Sequence, residues 1–426
     1  MSLKTLRNLF LGLSLLVLAV GLGYRAGSGG WGRDLTQNTP LVGNISSKPA
    51  TVDFSLFWEV WDRLNRYYID KKALDTQKMV YGAITGLVTS LGDPYTVFLP
   101  PDQNQEAKDD LGGKFEGIGA QLGIKDKKIV VVAPLKGTPA EKAGLKPGDW
   151  IVKVDGKETF NWTLPQTVSK IRGPKGSNVL LTILHKDATK SADISVARDT
   201  IKVASVEWEI KNIQCSNATI KQCKIIKEEC PDCQKIVYLK LSRFGDQTTD
   251  EWTKAVEEIN KTMKQLNNGT MKGMIFDLRN NPGGYLSGSV FIASEFLKDG
   301  IVVIQETAGG TKQNYNVDRK GKLTDIPLVV LINKGSASAS EIVAGAIQER
   351  GRGKLVGETT FGKGSIQEAQ ELPKGAGIHI TTAKWLLPSG KWINGNGVDP
   401  DIKVEYDDTK PDEDLQLEKA IEFLVK

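Results

Sequence analysis

The chain has 426 residues, of which 40% are hydrophobic and 25% charged, and its formal net charge is +5. These proportions are typical of a globular protein, and the length allows two or three domains. The charge is small for this length, and no Lys/Arg cluster is interleaved with aromatic residues, so the composition argues against nucleic-acid binding.

The N-terminus carries an uncharged apolar segment, residues 9–24, preceded by Lys4 and Arg7. Its sixteen residues are long for the core of a signal peptide and slightly short for a full membrane span. No Ala-x-Ala cleavage site follows, which favours an uncleaved anchor over residues 1–25, and no cysteine follows, which argues against a lipoprotein. The basic residues before this segment predict that the N-terminus is cytoplasmic and that the rest of the chain is extracytoplasmic. The protein would then cross the cell membrane once, or be secreted or periplasmic if the segment is cleaved.

A linker and a helical region follow. Residues 26–50 are rich in Gly, Ser, Asn and Thr, which is typical of a linker. Residues 51–110 contain apolar side chains spaced by three and four, which predicts two amphipathic helices. The positions are Phe54, Phe57, Trp58, Trp61, Leu64 and Tyr68, then Val80, Ile84, Leu87 and Leu91. Such faces pack either against the core or against a second copy in a homodimer, and the sequence leaves both readings open.

Residues 111–199 resemble a PDZ domain. The resemblance rests on FEGIGAQLG, on the run IVVVAPLKGTPAEKAGLKPGDWIVKVDGK and on the strand-like VLLTIL. In Gly117-Ile118-Gly119-Ala120, consecutive backbone N–H groups could hold a peptide carboxylate beside an edge strand that pairs with a chain end. The alternative is that this turn is only a bulged loop. Arg172 is a secondary candidate for substrate contact, or a surface arginine.

Residues 200–405 alternate strands and helices, and residues 406–426 end the chain with a helix. Residues 236–241 predict a strand and residues 250–266 a helix, and MKGMIFDLRNNPGG leads from a strand into a glycine turn. Gly283 and Gly284 allow close approach of the backbone in that turn. We expect Asp277 and Arg279 to orient the turn rather than to take part in chemistry.

All four cysteines lie in a segment at 212–235: Cys215, Cys223, Cys230 and Cys233. Outside the cytoplasm this pattern predicts two disulfides, with pairing unspecified. The rival is a structural zinc site, since Cys230-Pro-Asp-Cys233 resembles a metal knuckle, but the spacing of the first pair fits poorly. A Cys-x-x-Cys redox motif is a weaker third interpretation.

A strand at 328–332 feeds a helix whose apolar periodicity begins near Glu341, through the small-residue turn Gly335–Ser340. A tight turn of this kind can expose one hydroxyl and leave N–H groups free for a developing oxyanion. A serine nucleophile needs a base, and the chain has only two histidines, His185 in the PDZ-like region and His379 in a strand-like run. The remaining candidate is lysine, and Lys363 is flanked by glycines.

The motifs GSASASE and VGETTFGKGSIQ, together with DLRNNPGG, resemble those of the C-terminal processing peptidases, or tail-specific proteases. The resemblance implies a mixed α/β multidomain fold with a Clp protease/crotonase-like core, an inserted PDZ domain and an N-terminal helical arm. It also implies Ser338 as nucleophile, Lys363 as general base, and Gln367 as the residue that orients the lysine. The oxyanion hole would combine Gly284 and Ala339.

The simpler interpretation is a helix cap, with Ser340 as a candidate, and a solvated lysine, but two motifs in the family's order and spacing outweigh it. The sequence therefore predicts a serine endopeptidase that needs no metal or cofactor and acts on proteins with apolar C-termini. The competing hypothesis is a catalytically inactive PDZ adaptor on a protease scaffold. The presence of all the expected site residues argues against it.

Overall fold

The structure, a computed structural model, describes residues 52–125, 128–185, 188–216, 222–226, 233–266, 270–406 and 413–425. Among these residues, no helix has the length and apolar character needed to cross a membrane. The predicted anchor at 1–25 and linker at 26–50 lie outside the described residues, as does Cys230.

The chain divides into two units, residues 1–76 and 77–426. In the first unit the described part forms helix α1 (Ser55–Tyr67) and a short 3₁₀ turn (Lys71–Ala73). The apolar positions of α1 follow the predicted helical spacing, yet none of its residues is buried. Aromatic rings contact one another along the helix. The ring of Phe57, for example, contacts the rings of Trp58 and Trp61.

The second unit begins with the body of helix α2 (Thr76–Thr89), strand β1 (Val97–Leu99) and helix α3 (Pro101–Leu111). Strand β1 falls inside the predicted helical region, but it pairs with a strand of the C-terminal half at 377–379. Val88 of α2 packs with Phe98 of β1 and Ala376 in a small apolar cluster. The chain therefore contacts the C-terminal half of the protein before it reaches the PDZ-like region.

The PDZ-like region is a small β-structure with two helices. Its elements are β2 (Lys114–Gly117), β3 (Ala120–Lys125), β4 (Lys128–Pro134), α4 (Pro139–Lys142), β5 (Trp150–Val154), β6 (Lys157–Glu158), α5 (Leu164–Ile171), β7 (Asn178–Leu184), β8 (Ala192–Ala197) and β9 (Asp199–Lys202). Strands β3, β4, β5, β7 and β8 form one sheet in that order, and β2 pairs separately with β9. The region has its own apolar core, which includes Val131, Ile151 and Leu181.

The C-terminal half is a mixed α/β structure. Its elements are β10 (Val206–Ser216), β11 (Gln222–Ile226), β12 (Gln234–Leu241), α6 (Thr248–Gln265), β13 (Met271–Asp277), α7 (Leu286–Phe296), β14 (Ile301–Thr307), β15 (Lys312–Asn316), β16 (Leu328–Ile332), α8 (Ala339–Glu349), β17 (Lys354–Gly357), β18 (Ser365–Glu371), β19 (Gly377–Leu386), β20 (Ile402–Lys403) and α9 (Leu415–Val425).

A seven-stranded sheet with the order β11-β10-β12-β13-β16-β17-β20 organises this half. It is parallel from β12 to β20, and its inner strands are apolar on both faces because both faces are covered. In β16, Val330 and Ile332 join the cluster that contains helices α6, α7 and α8, whereas Val329 and Leu331 face helix α9. A five-stranded antiparallel sheet, in which β19 pairs with β1, β14 and β18, carries the lysine motif.

The cysteine segment extends the edge of the large sheet as the hairpin β10–β11. Cys215 and Cys223 form a disulfide across this hairpin, and Cys233 is also disulfide-bonded. Cys223 is buried and packs in the same cluster as helix α9. Among the described residues, no group of His, Cys, Asp and Glu side chains has the arrangement of a metal site.

Candidate active site

The turn between β16 and α8 holds three serines, and the structure separates their roles. Ser336 donates its hydroxyl to the carbonyl of Leu278, and Ser340 donates to the carbonyls of Ala337 and Asn281. Both serines are fully buried, and their hydrogen bonds to Leu278 and Asn281 connect this turn to the turn that follows β13. Ser338 instead lines a cavity.

Ser338 has φ 56° and ψ −117°, a conformation that residues other than glycine rarely adopt. Such strain persists only where the surrounding hydrogen bonds fix the backbone, and it is common at a nucleophile that must project from a strand-to-helix turn. Helix α8 begins at Ala339, directly after the serine, so Ser338 lies at the positive end of the helix dipole.

The glycine turn lies against the serine turn. A Cβ atom on Gly283 would lie 2.8 Å from Cβ of Ser338, and one on Gly284 would lie 2.0 Å from the carbonyl oxygen of Phe244. Both glycines also have positive φ, so no other residue fits at either position. Among the described hydrogen bonds, the N–H groups of Gly284 and Ala339 donate to no protein group, and both residues line the same cavity as Ser338.

Lys363 follows a glycine on the loop that leads into β18. Burial lowers the pKa of its ammonium group, while the carboxylates of Asp93 and Glu341 act in the opposite direction and do not cancel the shift. A lysine with a lowered pKa is deprotonated more easily, as a general base requires. Its Nζ lies 5.1 Å from the centre of the Tyr95 ring.

Glu341, in the first turn of α8, joins the serine turn to the lysine loop. Its carboxylate accepts the backbone N–H of Ser338 at 2.7 Å, and those of Gly362 and Lys363 at 2.7 and 2.9 Å. The hydroxyl of Thr360 donates to it at 2.5 Å. Glu341 is fully buried, so these four charge-assisted bonds fix the two loops relative to each other.

The cavity has a volume of about 740 Å³ and brings together most of the residues singled out from the sequence. Ser338, Lys363, Gln367, Gly284 and Ala339 all line it. The amide of Gln367 donates to the hydroxyls of Ser365 at 2.8 Å and Thr381 at 3.1 Å. Its role in orienting the lysine remains a prediction.

Ion pairs of Arg279 with Asp277 and Asp414 lie next to the turn that carries Gly284. Arg279 binds the carboxylate of Asp277 at 2.7 Å and that of Asp414 at 2.8 Å, and Tyr238 donates its hydroxyl to Asp277 at 2.6 Å. Because Asp414 also accepts the N–H of Leu417 in helix α9, the C-terminal helix is bonded to the base of the glycine turn. The orienting role expected of Asp277 and Arg279 stays a prediction.

A second cavity, of about 350 Å³, lies in the PDZ-like region and is lined by Gly117, Ile118, Gly119 and Ala120. The carbonyls of Ile118 and Gly119 accept hydrogen bonds from Ala140 and Leu135, so they point into the protein. Among the described bonds, the N–H groups of Ile118 and Gly119 have no acceptor. Apolar side chains, including Leu122, Val168 and Ile171, line the rest of the groove together with Arg172.

Comparison with known proteins now decides the family. The sequence model of peptidase family S41 matches residues 235–404, and that of the PDZ domain matches residues 130–184. The carboxy-terminal processing protease CtpA of Bacillus subtilis is 35% identical over 375 residues, which cover 88% of this chain and 74% of that protein. The carboxyl-terminal-processing protease of Synechocystis sp. is 32% identical over 407 residues, which cover 90% of each protein.

The chain belongs to peptidase family S41. It is therefore a serine-type peptidase with a PDZ domain, which confirms the family, the mixed α/β fold and the enzyme class predicted from the sequence. A solved structure of an S41 protease candidate from Bacteroides fragilis covers 85% of this chain and 96% of its own, with a TM-score of 0.54. At 15% identity that likeness supports the fold alone.

The S41 site also contains residues that the sequence did not reveal. Glu341 has the spacing of a helix capping residue, and nothing in that pattern shows its bonds to the lysine loop. His379 lines the cavity, and burial, followed by the charge of Lys363, lowers the pKa of its imidazole. Tyr95 lies far from both motifs along the chain. Only the pairing of β1 with β19 brings it to the lysine.

Proposed function

We propose that this S41 peptidase is an endopeptidase in which Ser338 is the nucleophile and Lys363 the general base. The observation that supports it most is the shared cavity: a strained serine at a helix N-terminus, a half-buried lysine and two N–H groups with no protein acceptor among the described bonds belong to residues that line one space. These are the groups that acyl transfer by a serine–lysine pair requires.

In the first half of the reaction, the neutral amine of Lys363 takes the proton from the Ser338 hydroxyl while its oxygen attacks a backbone carbonyl of the substrate. The N–H groups of Gly284 and Ala339 stabilise the resulting oxyanion. The Lys363 ammonium then gives its proton to the leaving nitrogen, the C–N bond breaks, and an ester on Ser338 remains. In the second half, Lys363 takes a proton from a water molecule whose oxygen attacks the ester. The bond between the acyl carbon and the Ser338 oxygen then breaks, and the Lys363 ammonium returns the proton to that oxygen.

The PDZ groove would select the substrate. A chain end whose carboxylate meets the N–H groups of Ile118 and Gly119 can pair with strand β3 and place its last side chain on Leu122, Val168 and Ile171. We therefore expect extracytoplasmic proteins with apolar, accessible C-termini as substrates. The N-terminal segment, residues 9–24, would hold the enzyme at the membrane, and the exposed aromatic face of α1 is a candidate surface for a homodimer.

The deciding experiment compares the full chain with Ser338→Ala and Lys363→Ala on a protein substrate that ends in an apolar, disordered tail. Each substitution should lower kcat/KM by at least about 100-fold while the protein stays folded, because each removes half of a proton-transfer pair. Lys334→Ala is the matched control, since this lysine lies in the same turn as Ser338 but is 78% exposed and does not line the cavity.

Mass analysis of the fragments identifies the cut. A loss smaller than tenfold in either variant would contradict the serine–lysine pairing. A wild-type chain that binds C-terminal peptides but cleaves none would instead support the adaptor hypothesis.

A further inference from the structure

The segment Asp93–Thr96 reaches the active site from outside the residues that the S41 family model matches. It lies between helix α2 and strand β1, more than a hundred residues before that match begins at residue 235. Strand β1 then pairs with β19, with Val97 opposite His379. This pairing brings Tyr95 to Lys363, whose Nζ is 5.1 Å from the ring centre.

We propose that Tyr95 is a positioning residue for the Lys363 amine and that Asp93 holds Tyr95 in place. The inference rests on the proposed role of Lys363 as base and adds the group that restrains it. It also makes the surroundings of the proposed base discontinuous along the chain, since the ring beside the Lys363 amine precedes the PDZ domain.

Asp93 is bonded on several sides. Its carboxylate accepts the backbone N–H of Tyr95 at 3.0 Å and the hydroxyl of Thr96 at 2.6 Å. Burial pushes the pKa of Asp93 upward, but hydrogen bonds from the hydroxyls of Thr381 and Thr96 and from backbone N–H groups outweigh burial, so the pKa lies below its ordinary value. Asp93 is therefore a fixed anion at the start of β1.

The same bonds connect Tyr95 with the predicted orienting residue. The backbone N–H of Thr381 donates to the hydroxyl oxygen of Thr96 at 3.0 Å, and the amide of Gln367 donates to the hydroxyl oxygen of Thr381 at 3.1 Å. Thr381 thus contacts both Asp93 and Gln367. Gln367, Thr381 and Asp93 form one bonded chain that ends at the backbone of Tyr95.

A ring beside the amine suits a lysine that must gain and lose a proton in each half-reaction. A lysine side chain has several rotatable bonds, and fixing it costs conformational entropy, so a neighbouring side chain that removes rotamers favours the reactive geometry. The face of an aromatic ring attracts the ammonium form. It also keeps water away, which favours the neutral amine.

The titratable groups around Lys363 have to be considered together, because a pH profile reports all of them. Asp93 and Glu341 stabilise the ammonium, burial disfavours it, and a protonated His379 would disfavour it further. Burial raises the pKa of the Tyr95 phenol, so this ring carries no charge while the lysine titrates. Effects of changing Tyr95 can therefore be assigned to the ring itself.

The test measures pH profiles of kcat/KM and of kcat for Tyr95→Phe, Tyr95→Leu and Tyr95→Ala in the full chain. Phe keeps the ring, and activity should stay within about threefold of wild type. Leu keeps the wall but loses the π face, so the acidic limb should move to lower pH while kcat stays closer to wild type than in the Ala variant. Ala loses the wall and admits water, so kcat should fall at least tenfold and the limb should move to higher pH. Opposite shifts are not expected from a structural role.

Two further variants extend the test. Asp93→Asn keeps the shape of the side chain but weakens its bonds, and should lower kcat more than it changes KM. Tyr406→Leu is the control, because this tyrosine is exposed and, among the described contacts, no lysine lies over its ring. Should Leu and Ala variants fail to fold, phenylalanines with increasing fluorination at position 95 weaken the π face at nearly constant volume, and the acidic limb should move steadily to lower pH along that series.

A flat fluorination series, or Leu and Ala variants with wild-type kcat and an unmoved acidic limb, would overturn the inference. Those results with an inactive Lys363→Ala would leave the serine–lysine proposal intact. An active Lys363→Ala variant would instead refute the proposed function itself.

Discussion

At the scale of single residues, burial lowers the pKa of Lys363, as a general base requires, and it also reduces the stability of the folded protein. Its pKa is lowered mainly by desolvation, so between that value and the ordinary 10.5 the unfolded chain binds more protons than the folded one. The contribution of Lys363 to stability therefore becomes more favourable as pH rises through this window, and below it the folded protein carries the desolvation penalty of a half-buried ammonium group.

We predict that Lys363→Met, although inactive, unfolds at a higher urea concentration than wild type at pH 7. The difference should shrink as the pH rises toward 10.5, because the penalty disappears when the amine is neutral in both states. Urea titrations at pH 7 and pH 10 measure it, with Lys391→Met as the control at an exposed lysine. A Met variant less stable than wild type at pH 7 would show that the charge is well compensated.

Glu341 is the residue on which the geometry of the site depends most. Glu341→Ala leaves three backbone N–H groups and one hydroxyl without their acceptor in a buried space, and each costs about 1–3 kcal/mol. We predict a loss of at least about 3 kcal/mol in the free energy of unfolding and a fall in kcat of at least tenfold.

Glu341→Gln should be nearly as harmful, since its NH₂ group would face N–H donors. Glu349→Gln is the control on the same helix, because this carboxylate is exposed and binds only Ser389 among the described contacts. Chemical denaturation and kcat on one substrate give both quantities. A fully active Gln variant would show that the two loops do not depend on this carboxylate.

At the scale of elements, the lysine loop is fixed through its backbone. Trp385 donates its indole N–H to the carbonyl of Lys363 at 2.9 Å, and Trp392 donates to that of Gly364 at 2.8 Å. The N–H of Gly364 donates to Asn394 at 3.1 Å. A loop of two glycines and a lysine would otherwise have many conformations, so these bonds explain how it can place an amine accurately.

The two tryptophans allow a matched comparison. Trp385 is 1% exposed, and Trp385→Phe leaves the Lys363 carbonyl without its donor, which should cost about 1–3 kcal/mol and lower kcat. Trp392 is 46% exposed, and the Gly364 carbonyl keeps a second donor, the backbone N–H of Trp385, so Trp392→Phe should cost less than about 1 kcal/mol. Thermal unfolding and kcat test this order. Equal effects would contradict it.

At the scale of the whole molecule, the sequence predicted what lies in contiguous motifs. The small-residue turn before α8, the lysine loop and the glycine turn each follow from local chemistry, and the family resemblance joined them into one site. Contacts made by topology were not predictable. Tyr95 depends on a three-residue strand inside a region read as helical, and the bonds of Glu341 depend on how α8 meets a loop twenty residues away.

The two cavities would have different roles, the PDZ groove binding the substrate's C-terminus and the cavity at Ser338 holding the bond to be cleaved. Changes in the substrate alone can test this. In the PDZ groove, the N–H groups of Ile118 and Gly119 face a space lined with apolar side chains. A hydrogen bond to a charged acceptor is worth roughly 1.5–3 kcal/mol, against about half that for a neutral one. Burying an apolar terminal side chain adds about 1.5–3 kcal/mol.

We therefore predict that amidating the substrate's C-terminus, or ending it with aspartate, lowers kcat/KM by one to two orders of magnitude at subsaturating substrate. The effect should lie in KM, because the scissile region is unchanged. Matched free-acid and amide substrates of identical sequence provide the measurement, and Ser338→Ala allows binding to be measured without cleavage. Equal kcat/KM for acid and amide would mean that the groove does not select substrates by the chain end, since the two differ only in the group that the Ile118–Gly119 turn would contact.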